Sequence, residues 1–383
     1  MALYNKYRPA SLKMVCGQEH VKRILASQVR QNDLVHAYLF TGPAGTGKTT
    51  VARILAAMIN CSTGMTVDIP ADDPFVSAIM SGRKGMDVYE MDAASTRGID
   101  DAKELRSIVF LPPMEMRKRV FIIDECHQLT PEAWAVLLKM IEEPPPYSVF
   151  ILCTTELNKV LETIQTRCQC FSFRQLNVED IFPYIKNIAI AEGIQADDEA
   201  LRLISIGARG SLRDALSKLD KARHAGARIT PETVSELVGV PSRKIIRRYV
   251  AAIVSAKIAD GIAASSEALG IGVSPQDFLC EVANVCHDLL LHGRSGVDAA
   301  RYGYTPDEAS ALEELRRGIF TAINPGHEDD PLTRRLFRQL ISQWIKVVQE
   351  SSKLTVYNLQ PQFQANIAFV EMFNAFTSNI APK

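Results

Sequence analysis

Up to about residue 175 the chain alternates short apolar runs with longer stretches in which apolar positions recur every three or four residues. The runs HAYLFT (36–41), DVYEMDA (87–93), RVFIID (119–124), VFILCTT (149–155) and CQCFSF (168–173) read as strands. Between the first two, Val51, Ile54, Leu55, Met58 and Ile59 fall on one helical face. This alternation predicts an α/β domain, a mostly parallel sheet covered by helices. From about Leu176 the strand signal stops, and VEDIFPYIKNIAIAEG and DDEALRLISIGARGSLRDALSKLDKAR read as short amphipathic helices of a small helical domain. A second helical region starts near Val240, with a loop-rich stretch HGRSGVDAARYGYTPDEAS and then a long helix, LTRRLFRQLISQWIKVVQESS. The expected parts are 1–175, 176–239 and 240–383, with no internal repeat and no low-complexity tail.

Length agrees with several parts, because 383 residues exceed the roughly 250–300 at which a single core stops growing. Hydrophobic content of 47% with 23% charged residues suits a soluble globular protein. No apolar run reaches the roughly 18 residues that a membrane span requires. MALYNKYRPASL lacks a secretory signal, so a cytoplasmic, reducing location is expected and the eight cysteines are read as thiols. The net charge of −1 leaves nucleic-acid contact to a local patch or a composite surface.

Chemistry enters at GPAGTGKT, residues 42–49, which fits G-x-x-x-x-G-K-[ST] between a strand and an amphipathic helix. Gly42, Gly45 and Gly47 let backbone N–H groups curl round phosphates at a helix N-terminus. Lys48 supplies a cation to the β- and γ-oxygens, and the Thr49 hydroxyl a ligand for Mg²⁺. VFIIDECH (120–127) puts Asp124 and Glu125 at the carboxyl end of a buried strand, where open α/β sheets bind ligands. Asp124 is read as part of the Mg²⁺ shell and Glu125 as the group that polarises the attacking water. Cys126 and His127 are given a passive packing or polar role. In IQTRCQCF (164–171), period-two alternation sets Cys168 and Cys170 on one strand face and Phe171 and Phe173 on the other, so both faces can be buried. Two thiols without further ligands do not make a metal site.

Taken together, KYRPASLKMVCGQEHV, GPAGTGKT, IIDECH, LLKMIEEPPP, CTTELNKV, IQTRC and GSLRDALSKLD resemble the ATPase subunits of sliding-clamp loaders. Among these the chain is most similar to the gamma/tau branch of bacterial DNA polymerase III. The matches run in order through residues 4–220, and the helical remainder is similar to the family's collar in length and in its closing LTVYNLQPQFQANIAFVEMFNAF. The resemblance implies an AAA+ domain with a parallel sheet, a small helical lid and an all-α collar for oligomerisation. It implies ATP and Mg²⁺ as cofactors, with Thr50 beside the phosphate loop and Tyr7, Arg8, Pro9, Val15 and Cys16 round the adenine. Thr155, favoured over Thr154, falls at the first sensor position, and Arg213 at the second, which couples nucleotide to the inter-domain angle; a plain surface arginine is the alternative. Arg167 matches the arginine finger given to a neighbour's site, which reads the chain as one member of a ring or arc. The role of LLKMIEEPPP, on the expected interface side, stays open. Ser95, Thr96 and Arg97 fall where the family faces DNA phosphates, with helix capping by Ser95 or Thr96 as the equal alternative. Arg334, Arg335 and Arg338 read as a solvated helix face.

The implied function is that of an ATP-hydrolysing motor subunit, with no polymerase site of its own, that opens a sliding clamp and loads it onto primer-template DNA. Its partners would be sister loader subunits, the clamp and DNA, with no membrane. A non-hydrolysing scaffold subunit and a related AAA+ DNA-remodelling ATPase are the alternatives. The presence of Lys48, Glu125 and Arg167 weighs against the first, the YRP start, the TRC motif and the collar against the second. Two departures from the gamma/tau pattern stand out. Of the four-cysteine zinc module only Cys61 is kept, with no further cysteine before Cys126, so no zinc is expected and a divergent bacterial or phage-encoded lineage is. The longer tau-type extension is absent, which fits a naturally short form or a truncated one.

Overall fold

Tyr38 and Phe40 point to one side of the first strand and Ala37 and Leu39 to the other, and all four are buried, so the strand is covered on both faces. The computed structural model describes residues 2–70, 72–82, 87–95, 105–226, 228–239, 241–291, 306–327, 330–353 and 362–380. By its contacts the chain divides into two compact units, residues 1–181 with 209–217, and residues 182–208 with 218–383.

The first unit is built on a five-stranded sheet of β1 (Ala37–Thr41), β2 (Val88–Asp92), β3 (Arg119–Asp124), β4 (Ser148–Thr154) and β5 (Gln169–Ser172). The spatial order is β2-β3-β4-β1-β5 and every pairing is parallel. Each run read as a strand is one. On one face Tyr38, Phe40, Val120, Ile122 and Ile151 pack against Val51, Ile54, Leu55 and Met58 of the helix Lys48–Asn60 and against the helix Glu19–Gln31. On the other face Leu39, Phe121, Ile123, Phe150 and Leu152 pack against Trp134, Leu137 and Met140 of the helix Pro131–Glu142. Burying one such side chain contributes about 1.5–3 kcal/mol, so the two apolar layers fix which strand ends face the same way. In register, Thr41 lies opposite Thr154, and Asp92 opposite Asp124, which gathers the chemistry of four strands along one edge of the sheet.

β5 departs from expectation. Phe171 and Phe173 are buried, but Cys170 is exposed and Cys168 only half-buried. β5 is an edge strand, paired with β1 alone among the described strands, and the Cys170 thiol lies against Gln165 O, at the end of the short helix Glu162–Gln165, rather than in an apolar layer. Burial still pushes the Cys168 thiol up to about 12 and raises that of Cys170, so neither is a ready thiolate.

The second unit is helical. Helices Arg243–Val254, Ile258–Gly270, Pro275–Leu291, Pro306–Ile323, Pro331–Lys353 and Gln362–Ile380 enclose a core that includes Tyr249, Phe278, Trp344 and Phe369. The Tyr249 hydroxyl donates to Ala365 O at 2.6 Å and the Trp344 indole N–H to Met372 O at 2.9 Å, so the buried polar tips are satisfied. Of the stretch read as loop-rich, residues 292–305 lie outside the described residues, but its end is the first turn of the helix Pro306–Ile323. Proline is tolerated at a helix's first position because the missing N–H has no partner there anyway. Arg334, Arg335 and Arg338 are exposed. No described helix is long and apolar enough to cross a membrane.

Candidate active site

The loop after β1 turns by left-handed backbone at Gly42 (φ 144°), Gly45 (φ 74°) and Gly47 (φ 101°). At two of these a side chain also has no room, since a Cβ on Gly42 would lie 2.2 Å from Phe173 O and one on Gly45 2.0 Å from Ser211 Oγ. The loop delivers the chain into the N-terminus of the helix Lys48–Asn60, where unpaired N–H groups favour an anion. Lys48 is 5% exposed, and its Nζ donates to Gly42 O at 2.7 Å and Pro43 O at 2.9 Å. Burial lowers its pKa, against the pull of Glu125, Cys153 and Asp124. A buried ammonium held by two carbonyl oxygens is well placed to exchange them for phosphate oxygens.

Across from it, Thr49 Oγ1 donates to Asp124 Oδ2 at 2.7 Å. Burial raises the Asp124 pKa, while hydrogen bonds from Thr49 and the Glu125 N–H oppose the rise. A hydroxyl and a half-desolvated carboxylate in contact are the hard oxygen donors that Mg²⁺ prefers, so these residues fit that ion. Glu125 has left-handed backbone (φ 47°). Such a conformation costs a residue with a side chain roughly 1–3 kcal/mol and persists where the surroundings fix it. Here Glu125 Oε2 accepts from Thr155 Oγ1 at 2.9 Å and Thr155 N at 3.2 Å. Thr154 faces inward, fully buried.

Gly45, Gly47, Lys48, Thr49, Asp124 and Glu125 share a cleft of about 470 Å³ that is also lined by Tyr7, Arg8, Pro9, Val15, Cys16 and Thr50, whereas Thr155 does not line it and touches it through Glu125. Arg213, at the start of the helix Leu212–Ala222, lines it too and stands over the Tyr4 ring at 5.3 Å. Cys16 Sγ donates to Asp180 O at 3.3 Å, and burial pushes its thiol up to about 12. Arg53 and Glu90 line the cleft without having been read from the sequence, joined by two hydrogen bonds of 2.7 Å. Burial and the nearby Arg53 lower the pKa of Arg8, Glu90 opposing. The helical spacing from Thr49 to Arg53 was a signal for the arginine, but only the sheet shows that Glu90 meets it.

Arg167 is not among the residues lining this cleft. It is 40% exposed, pairs with Glu142 at 2.8 Å and donates to Thr163 O at 2.9 Å. Glu142 ends the helix formed by the first part of LLKMIEEPPP. Ser95 donates through its hydroxyl to Asp92 O at 3.0 Å, closing a turn rather than capping a described helix. Thr96 and Arg97 lie outside the described residues. Cys61 is buried and its thiol donates to Asp73 Oδ2 at 3.3 Å.

Comparison with known proteins agrees with this geometry. The family described as DNA polymerase III, delta subunit, matches residues 17–177, and the ATPase lid domain of the DNA polymerase III clamp loader subunit matches residues 180–227. The gamma/tau subunit of Mycobacterium tuberculosis is 38% identical over 319 residues, 82% of this chain and 55% of that protein. The chain belongs to the DNA polymerase III gamma/tau family of clamp-loader subunits. It is an α/β protein on a parallel five-stranded sheet, with an ATPase lid match and a mostly helical C-terminal region. The tau subunit of Bacillus subtilis is 35% identical over 97% of this clamp-loader chain and 63% of its own length, so the chain spans just over half to about two thirds of these relatives. STICHEL-like 1 of Arabidopsis thaliana is 35% identical over 78% of the chain but only 27% of that protein. Among solved structures, a RuvB of Thermotoga maritima matches 72% of the chain and 91% of its own, with TM-score 0.48 and 19% identity.

Proposed function

We propose that this clamp-loader subunit hydrolyses ATP to open a sliding clamp and place it on primer-template DNA. The observation that carries the reading is the single cleft in which Lys48, Thr49, Asp124 and Glu125 meet Tyr7, Arg8 and Arg213. Lys48 and the loop N–H groups hold the β- and γ-phosphates, and Tyr7, Arg8, Pro9, Val15 and Cys16 enclose the adenine. A Mg²⁺ held by Thr49 and Asp124 would neutralise charge on the phosphate oxygens. Glu125 takes the proton of the attacking water, with Thr155 fixing its carboxylate. Arg167, exposed and away from its own cleft, acts on the neighbouring subunit's ATP, while Arg213 ties the nucleotide to the lid. Such an arrangement needs sister subunits, for which the collar helices 240–383 are the assigned contact, and Ser95, Thr96 and Arg97 the assigned DNA contact.

Zinc plays no part in this proposal, because Cys61 is engaged by Asp73 and the sequence offers no further cysteine before Cys126. Elemental analysis of the purified protein is expected to find none, and one zinc per chain would refute it. The function itself is tested by reconstituting the loader with its clamp and primed circular DNA. ATP-dependent transfer of clamp to DNA that is lost with Lys48→Ala is expected. Transfer unaffected by that change would remove this chain as the motor.

A further inference from the structure

His127 lies one 3-10 turn beyond Glu125, in the segment Cys126–Gln128, and its side chain is 5% exposed. A buried imidazole needs partners for both nitrogens. Nδ1 lies 3.0 Å from Thr154 Oγ1 and 3.4 Å from Glu125 Oε2, and Nε2 lies 3.3 Å from Glu156 Oε1. Thr154 Oγ1 in turn accepts from Glu156 N at 3.0 Å, so the hydroxyl is fixed from the backbone side. The ring is therefore wedged between the end of β4 and the glutamate that faces the phosphate loop.

We propose that His127 is a positioning residue for ATP hydrolysis: a ring carrying N–H on both nitrogens, Nε2–H toward Glu156 Oε1 and Nδ1–H between Thr154 Oγ1 and Glu125 Oε2, holds the Glu125 carboxylate against Thr155 and toward the cleft. This rests on the reading of Glu125 as the base. Glu125 Oε2 accepts from Thr155 N and Thr155 Oγ1, and His127 Nδ1 stands 3.4 Å from the same oxygen, so groups from two elements converge on it. The second oxygen is left to meet water. Removing the imidazole frees a side chain whose backbone conformation does not fix its direction, and a small displacement of a reacting group costs up to about 10²-fold in rate. The nucleotide contacts, made by Lys48, the loop and the adenine-facing residues, do not involve His127.

The two ring nitrogens can be separated by substitution, since asparagine offers an N–H near the position of Nδ1 and glutamine one near Nε2. The wild type, His127→Ala, His127→Asn, His127→Gln and Glu125→Gln are compared in the assembled loader by ATP affinity and steady-state turnover. His127→Ala and His127→Gln are expected to lower kcat between about 10- and 100-fold, with KM and ATP affinity within threefold of wild type (roughly 0.65 kcal/mol). His127→Asn is expected to keep kcat within about threefold of wild type, and Glu125→Gln to lower kcat most. The proposal is overturned if all three His127 variants turn over like wild type, if glutamine rescues and asparagine does not, or if KM rises in step with the loss of kcat. Should Glu125→Gln itself turn over normally, the assignment of the base fails first.

Discussion

Glu125→Gln keeps an acceptor for Thr155 but cannot take a proton from water, so ATP binding is expected to survive. Turnover should fall about 10²–10⁴-fold, the range that a positioned base contributes, as read by filter binding and phosphate release on the same preparation. Lys48→Ala should act earlier, abolishing ATP binding, because it removes the one ammonium that the loop carbonyls hold over the helix N-terminus. These residues were legible in the sequence because the phosphate loop and the acidic strand end have fixed local spacing. Arg53 and Glu90 were not, since they lie 37 residues apart and meet only because β2 lies at the edge beside β3. His127 was visible but read as passive, because its partners Thr154 and Glu156 come from another strand end.

Elements carry a different kind of information. All five strands and the phosphate-loop helix follow from hydrophobic period, whereas the exposure of Cys170 depends on β5 being the outer strand, which no local pattern encodes. In the segment after the phosphate-loop helix a carboxylate ties a loop together. Asp73, 3% exposed, caps the helix Pro74–Met80 through Phe75 N and Val76 N and also accepts from Ser62 N, Ser62 Oγ and Cys61 Sγ. Burial alone would raise its pKa, but these hydrogen bonds win and hold it at about 2, below the ordinary 3.8. A carboxyl lowered on folding stabilises the native state above its unfolded pKa. That contribution is lost as pH falls from about 4 to about 2. Asp73→Ala should lower stability by at least about 0.5–2 kcal/mol, the worth of a cap, and flatten the acid limb of a chemical-denaturation series across that window. An unchanged acid limb would contradict it.

At the scale of the whole molecule, the proposed role of Arg167, which pairs with Glu142 and does not line the cleft of its own chain, would make the chain half of a two-subunit site. Fingers of this kind are worth about 10³–10⁵ in rate, so Arg167→Ala should silence an assembly made only of that variant. Mixed with Lys48→Ala subunits, it should regain activity at interfaces where an intact finger meets an intact phosphate loop. A finger acting within its own subunit would give no such rescue. Whether ATP hydrolysis by this subunit drives clamp loading is decided by ATP turnover of the assembled loader alone, with primed DNA, with the clamp, and with both. Stimulation is expected to be largest with both together and to be lost in Glu125→Gln. Turnover indifferent to DNA and clamp would contradict it.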